Sequence, residues 1–448
     1  MNTADPAALE LLHDLIGKAL KAGADAADAL LYDAASLSLT RRLGQIERLE
    51  RSESCDLGLR VFIGKRQAIV SSSDRAPEAL AALVERAVAM ARVVPEDPWC
   101  GIAEPGQLSR DFPDLDICDP IEPRAETLIE QVAIAEEAAL AVSGVTNSEG
   151  ADAGWSRSRV ALAASNGFSG GYAASRSSLS VVVLAGSGTA MERDYDFGST
   201  VYAGDLPAAA AIGRNAGERV VRRLNPRRVK SQRLPVIYDP RASRGLLSHL
   251  SGAISGAAIA RGTSFLKDKL GEAVFAPGVT VIDDPFVRRG LRSRPFDGEG
   301  VAPRRRAIIE DGRLTTWLMD LRSARQLGLA TTGHAARGTS APPSPSAANF
   351  HLAGGRKTPA ELIGEVEEGL YVVELMGQGV NGLTGDYSRG ASGFWIEKGR
   401  LAWPVSELTV AGNLKEMFLT LEPASDLELR YGVDAPTVRI ESMTIAGL

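Results

Sequence analysis

Four histidines supply all the imidazole of this chain: His13, His249, His334 and His351. A hydrolytic zinc site needs two histidines on one helix face and usually a nearby glutamate as general base. No two of the four stand at i,i+4 or i,i+5, and none is followed by glutamate, so H-E-x-x-H is absent. Cys55, Cys100 and Cys118 are odd in number and not in C-x-x-C spacing, and the C-terminal half has no thiolate to offer. A metal site would have to be assembled from scattered histidines and carboxylates. The reading is therefore no metal ligand and no catalytic residue in this chain.

Three other patterns carry chemistry only in a particular context. Gly167-Phe-Ser169-Gly-Gly171 matches a nucleophile elbow, which needs a strand before the serine and a helix after it. Tyr172–Leu184 reads as strand, so a glycine-rich hairpin turn is expected. Gly377-Gln-Gly379-Val-Asn-Gly382 matches a dinucleotide fingerprint, which must open a helix whose amides hold the pyrophosphate. Leu383-Thr-Gly-Asp-Tyr-Ser-Arg-Gly390 is turn-rich instead, so no nucleotide cofactor is expected. The carboxylate pairs Asp283-Asp284, Asp297/Glu299 and Glu310-Asp311 could form an acid/base dyad. A glycine in or beside the last two favours turns.

The elements that must position these residues follow from periodicity. Ala7–Lys21, Ala76–Val93, Arg124–Ala141 and Ala208–Arg223 have helical spacing. Ala29–Tyr32, Ser36–Thr40, Leu57–Phe62, Ala68–Val70, Val160–Ala163 and Ser178–Leu184 read as antiparallel strands. Val94–Pro123, with six prolines, reads as a linker. Arg222–Arg233 reads as a solvated basic linker into the strand Pro235–Tyr238. Ala242–Ala260 is a helix rich in small residues. Ser248, Gly252 and Gly256 share one of its faces and admit close packing by another element. On it His249 reads as a surface or hydrogen-bonded residue. The expected architecture is α+β: an N-terminal domain of antiparallel sheet with flanking helices over 1–225, in sub-blocks 1–95 and 120–225, then a β-rich, barrel-like C-terminal domain over 235–448.

Composition bounds the function. The chain has 448 residues, 44% hydrophobic and 24% charged, an ordinary globular balance with ample core. A net charge of −6 gives no basic excess for nucleic acid. Met1–Asp25 lacks a secretory pattern, no run of about 18 apolar residues predicts a membrane span, and reduced thiols suit the cytoplasm.

The segment Gly377–Glu397, with Pro404-Val405 and Ala411-Gly-Asn-Leu414, resembles the PmbA/TldE branch of the TldD/PmbA proteins, once called modulators of DNA gyrase. The resemblance spans nearly the whole chain. It is strengthened by Ser293–Val301, Leu321–Leu329, Thr332–Ala335 and Met443–Gly447, which occur in the family's order. Lys398 departs from the asparagine expected there. The resemblance implies an α+β N-terminal domain and a barrel-like C-terminal one. It implies pairing with a TldD-type subunit that carries H-E-x-x-x-H and the zinc, in a complex cleaving unfolded or extended peptides such as microcin leaders and antitoxins. Gly245–Gly256 is the counterpart of that subunit's motif helix, and the ligands do not carry over. Two hypotheses follow: a metal-free subunit of a heterodimeric metallopeptidase, or an independent hydrolase working as a homodimer.

Overall fold

The computed structural model of the chain describes residues 5–447; Met1–Ala4 and Leu448, the outermost residues of the two expected domains, lie outside the described residues. Helix α1 (Pro6–Lys21) begins where Asp5 accepts from the Ala7 amide at 3.0 Å and Pro6 takes the first helical position. The strands β1 (Ala26–Arg42), β2 (Gln45–Ile63) and β3 (Arg66–Ser72) follow, then α2 (Pro77–Val93). After a long strap, α3 (Ala125–Leu140), β4 (Val145–Ala164), β5 (Ser169–Ala185), β6 (Glu192–Thr200) and α4 (Ala209–Arg222) repeat the same order of elements. The six strands form one antiparallel sheet, β3-β2-β1-β4-β5-β6, with the first strands of the two repeats paired at its centre. Four of these strands run to 17 residues or more, far longer than the short runs read from the sequence.

Strand parity divides the work of the two faces. Ala27, Ala29, Leu31, Leu57 and Leu59 pack beneath α1 and α2. Leu37, Leu39, Trp155 and Leu179 pack beneath α3 and α4. The intervening Asp28, Leu30, Gly58 and Arg60 point to the opposite face, which is covered by the C-terminal half: Leu30 joins Phe296, and Thr339 passes so close that a Cβ on Gly58 would lie 2.2 Å from its carbonyl oxygen.

The C-terminal half holds β7 (Gln232–Tyr238), α5 (Pro240–Ala253), α6 (Gly256–Ala260), β8 (Val281–Asp284), β9 (Arg306–Glu310), β10 (Arg313–Leu314) and α7 (Leu321–Gln326). It continues with β11 (Ala335–Ala336), β12 (Ser344–Pro345), β13 (Asn349–Leu352), α8 (Pro359–Gly364), β14 (Glu368–Met376), β15 (Asp386–Glu397) and β16 (Arg400–Asn413). It ends with α9 (Leu414–Leu419), β17 (Leu421–Pro423), β18 (Val433–Asp434) and β19 (Val438–Ala446). The strands β16-β15-β14-β7-β19 close on themselves through β16–β19 pairing, making a five-stranded barrel. Its core includes Val236, Tyr238, Leu370, Val372, Tyr387 and Ile440. A second sheet, β10-β9-β8-β13-β18, lies beside it.

Three expectations change. The helix expected over Ala242–Ala260 breaks at Ile254-Ser255, because Gly256 seats against Leu318, Met319 and Ser323 with no room for a side chain. Residues 94–123 are not a free linker: Leu115 and Ile117 are buried, and Ser109 donates to the Gly300 carbonyl at 2.9 Å, strapping the two halves together. The basic run is not simply solvated either. Arg223 is buried, and Arg227 lies over the Trp403 ring. No helix among the described residues is long and apolar enough to cross a membrane.

Candidate functional site

The structure keeps the four histidines apart. His13 is exposed on α1. His351 is buried on β13, where burial pushes its imidazole below the usual range. His334 is buried with Nδ1 2.8 Å from Thr332 Oγ1 and Nε2 3.0 Å from Asp283 Oδ2. His249 sits half-buried on α5, edge-on to Tyr387; burial first, then the neighbouring Arg389 charge, lower its pKa, so the ring is neutral near pH 7. Cys55, Cys100 and Cys118 are free thiols, each raised by burial. Among the described residues no three His, Cys, Asp or Glu gather in a group fit to hold a metal ion, so the donor set does not suit zinc.

Residues 165–168 turn β4 into β5, and Ser169, Gly170 and Gly171 open β5, paired to Ala163, Leu162 and Ala161, so Ser169 is not on an elbow. Gly377–Gly382 is a loop from β14 to β15, and no helix follows it. Glu310-Asp311-Gly312 turns β9 into β10, with Asp311 and Gly312 both at positive φ.

The Asp297/Glu299 pair is a turn and more. Asp297 Oδ1 accepts from the amides of Glu299 and Val301, both at 2.9 Å. The same turn aims Glu299 at the bare face of the first sheet, where Arg60 Nη1 lies 3.7 Å away. Burial pushes Glu299 up to about 8; Arg60 opposes the shift and Asp297 adds to it. Arg60 also binds Asp28 through Nε at 2.8 Å, and Arg337 closes on the other oxygen of Asp28. Burial alone would raise Asp28, but Arg337 and Arg60 outweigh it and hold the carboxyl below its usual range. A second buried network lies nearer α5. Arg223 reaches Glu374 at 2.7 Å and Ser392 at 2.9 Å, while Arg241 reaches Asp194 at 2.9 Å. Both networks pair side chains from the two halves of the chain, and local sequence reading had no signal for either.

The exposed side of α5 is open. Asp239 accepts from the Arg241 amide and Pro240 starts the helix, which fixes its register on the barrel. Leu246, Leu247 and Leu250 enter the core, leaving Ser248, His249 and Gly252 along the outer side. Unlike Gly256, Gly252 is open: a Cβ placed there would meet nothing within 4 Å, so only one member of the small-residue stripe is used for packing. Two clefts, of about 580 and 620 Å³, flank this face and share Ser248 and Arg389. One runs to the glycine loop at Gly377–Gly382, the other to Tyr195 and Phe197 on β6. The arrangement can hold an elongated ligand across both halves; it assembles no nucleophile with a base.

Three segments match known family descriptions: residues 27–91 match PmbA/TldA metallopeptidase domain 1, residues 118–224 the central domain, and residues 231–447 the C-terminal domain. The chain is 38% identical to metalloprotease PmbA of Escherichia coli O157:H7 over 443 residues, 98% of this chain and 96% of the relative. It is 29% identical to a metalloprotease TldD homolog of Haemophilus influenzae over 202 residues, 41% of this chain and 42% of the relative. A Bacteroides thetaiotaomicron crystal structure named for modulation of DNA gyrase superposes with a TM-score of 0.91 at 29% identity, over 99% of this chain and 100% of that one. TldE from Thermococcus kodakarensis shares the fold, with a TM-score of 0.87 at 23% identity over 98% and 100% of the two chains.

Proposed function

The chain belongs to the PmbA/TldD metallopeptidase family, and we propose that it serves there as a subunit with no metal site of its own, acting on unfolded or extended peptides beside a TldD-type, zinc-carrying partner. The observation that carries this reading is His249. It lies on the helix that the resemblance makes the counterpart of the motif helix, but Leu250 follows it and the positions five residues either way are Arg244 and Ile254, none of which can serve as general base or metal ligand. Supporting it, among the described residues no serine or cysteine is hydrogen-bonded to a histidine, Ser169 opens strand β5 rather than a helix, and each cysteine is raised toward its neutral, unreactive thiol. The role left to this chain is to bind and orient: the open face of α5 and its two clefts offer a trough for a peptide, with the hydrolytic chemistry supplied by the other chain. A cytoplasmic setting, where the free thiols stay reduced, belongs to the same proposal.

The test incubates this chain, its H-E-x-x-x-H homologue and the two mixed with a disordered peptide. Cleavage is expected only in the mixture and is lost on chelation or on replacing the partner's motif glutamate. Chelator-insensitive cleavage by this chain alone would refute the proposal.

A further inference from the structure

The clefts beside α5 are lined by arginines out of proportion to a protein of net charge −6. Arg176, Arg241, Arg244, Arg292 and Arg389 surround them, against a single carboxylate, Glu374. Two of these six charges are already satisfied: Arg241 by Asp194 at 2.9 Å, and Glu374 by Arg223 at 2.7 Å. The other four arginines have no ion pair among the described residues. Arg176 donates only to the Ser199 hydroxyl and Arg389 only to the Met376 carbonyl. Arg244 is held by its faces, 5.4 Å from the Phe197 ring and 5.3 Å from the Tyr431 ring, which themselves stack at 4.6 Å. Stacking occupies the flat of a guanidinium and leaves its N–H edge free for an acceptor. Arg292 is exposed, with its stem laid on Gly432, where a Cβ would collide at 2.7 Å. A neighbouring imidazole does not compete for anions, because His249 is kept neutral.

We propose that this trough is a recognition site for acidic, extended peptide segments, in which Arg176, Arg244, Arg292 and Arg389 pair with the carboxylates of Asp or Glu side chains. Arginines without an ion-pair partner, one of them held against two rings, offer the N–H forks that bind carboxylates bidentately. Between them, Phe265, Leu291, Leu375 and Val433 give apolar footing, so the trough suits a chain that alternates acidic and apolar residues. Gly252 and Ser248 keep the floor low enough for a backbone to lie across it. The acidic remainder of the surface repels a long polyanion, which favours a short peptide over nucleic acid. The inference rests on the reading of this chain as a peptide-handling subunit and adds the class of sequence it selects.

The experiment measures binding by fluorescence anisotropy, with the full chain alone, to a labelled unstructured peptide alternating Glu with Ala and Leu, and to its Gln twin. The Glu peptide is expected to bind, weakening as salt rises, and the Gln twin to bind at least about tenfold more weakly, the equivalent of roughly 1.4 kcal/mol. Arg292→Gln with Arg389→Gln should bring the Glu peptide down to the Gln twin's affinity. Arg228→Gln, an exposed arginine paired with Glu407 outside the trough, should leave binding unchanged. An unaltered circular dichroism spectrum and melting midpoint establish that the double variant is folded, and Arg176→Gln, on the exposed face of β5, gives a second, independent loss. Equal affinity for the two peptides, undiminished binding by both arginine variants, or tighter binding of a single-stranded oligonucleotide than of the Glu peptide would each overturn the proposal. Selective binding without any partner-dependent cleavage would sink the subunit reading and leave the trough standing; partner-dependent cleavage of the Glu and Gln peptides at equal rates would do the reverse.

Discussion

The seam between the two halves and the trough along α5 are both built around arginines, and they differ in where the matching carboxylates come from. At the seam each guanidinium meets its acid inside the same chain: Arg60 and Arg337 share Asp28, Arg60 also faces Glu299, and Arg223 meets Glu374. In the trough, four arginines are left without an ion-pair partner among the described residues. The group around Asp28 is buried and the trough open, so the same residue type serves two ends. Charge neutralised internally fixes how the halves dock, whereas charge left unmatched in a cleft selects what comes from outside.

The sharpest way to break the comparison is at the seam. Arg60→Met removes a guanidinium that is 3% exposed and leaves Asp28 and Glu299 facing only Arg337. Charged hydrogen bonds to a buried carboxylate contribute about 1.5–3 kcal/mol each, and the variant loses the two from Arg60 to Asp28 while Arg337 still balances that charge, so a loss of about 3 kcal/mol is expected. Urea denaturation should show that loss in the midpoint, with an unchanged slope if unfolding stays cooperative. A loss below about 1 kcal/mol would mean that water already reaches the seam, and the distinction between seam and trough would fail.

How much of this was legible follows from the same residues. Helices α1 and α2 could be read nearly to the residue, because their signals are local: apolar spacing, a proline at the first turn and, for α1, the Asp5 cap. The turn at Asp297-Gly-Glu299 was legible too. Its second role was not, because Glu299 acquires its environment from Arg60, a residue far away in the chain, and no local pattern announces which turn will be pressed against which strand. The bare face of the first sheet was hidden for a related reason. Alternation in β1 places Asp28 opposite Ala27 and Ala29, as if facing solvent, and only the docked C-terminal half makes it buried. The break between α5 and α6 likewise depends on Leu318 and Met319 arriving from elsewhere. The trough arginines are scattered from Arg176 to Arg389 and form a group only in three dimensions.

A milder perturbation titrates the seam rather than cutting it. Glu299 has its folded pKa raised to about 8 from the ordinary value of 4.5. Over that interval the folded chain keeps a proton that the unfolded chain has lost. The stabilisation is therefore full below the unfolded value and is lost as pH rises through about 8, with a limiting slope of about 1.4 kcal/mol per pH unit. Asp297 is raised in the same direction, chiefly by burial, whereas Asp28 is lowered and opposes only at acid pH. Glu299→Gln mimics the protonated form, so its stability should fall less steeply between pH 5 and pH 8 than that of the parent. Parallel profiles from chemical denaturation across that range would remove Glu299 from the seam's proton balance.

The smallest expected effect tests the trough from the side of folding. Gly252 lies in α5, and a Cβ there meets nothing within 4 Å. Replacing an unstrained helical glycine with alanine lowers the entropy of the unfolded chain and raises helix propensity, together worth about 0.5–1 kcal/mol of added stability. Gly252→Ala should therefore raise the denaturation midpoint of the isolated chain slightly. If the open face of α5 receives a peptide, the added methyl group raises the floor beside Ser248. The same variant should then bind the acidic peptide less well while being more stable. Stability and binding moving in opposite directions is what a surface kept free for a ligand requires. A variant more stable and equally competent to bind would show that the glycine floor is incidental, and that recognition rests on the arginines alone.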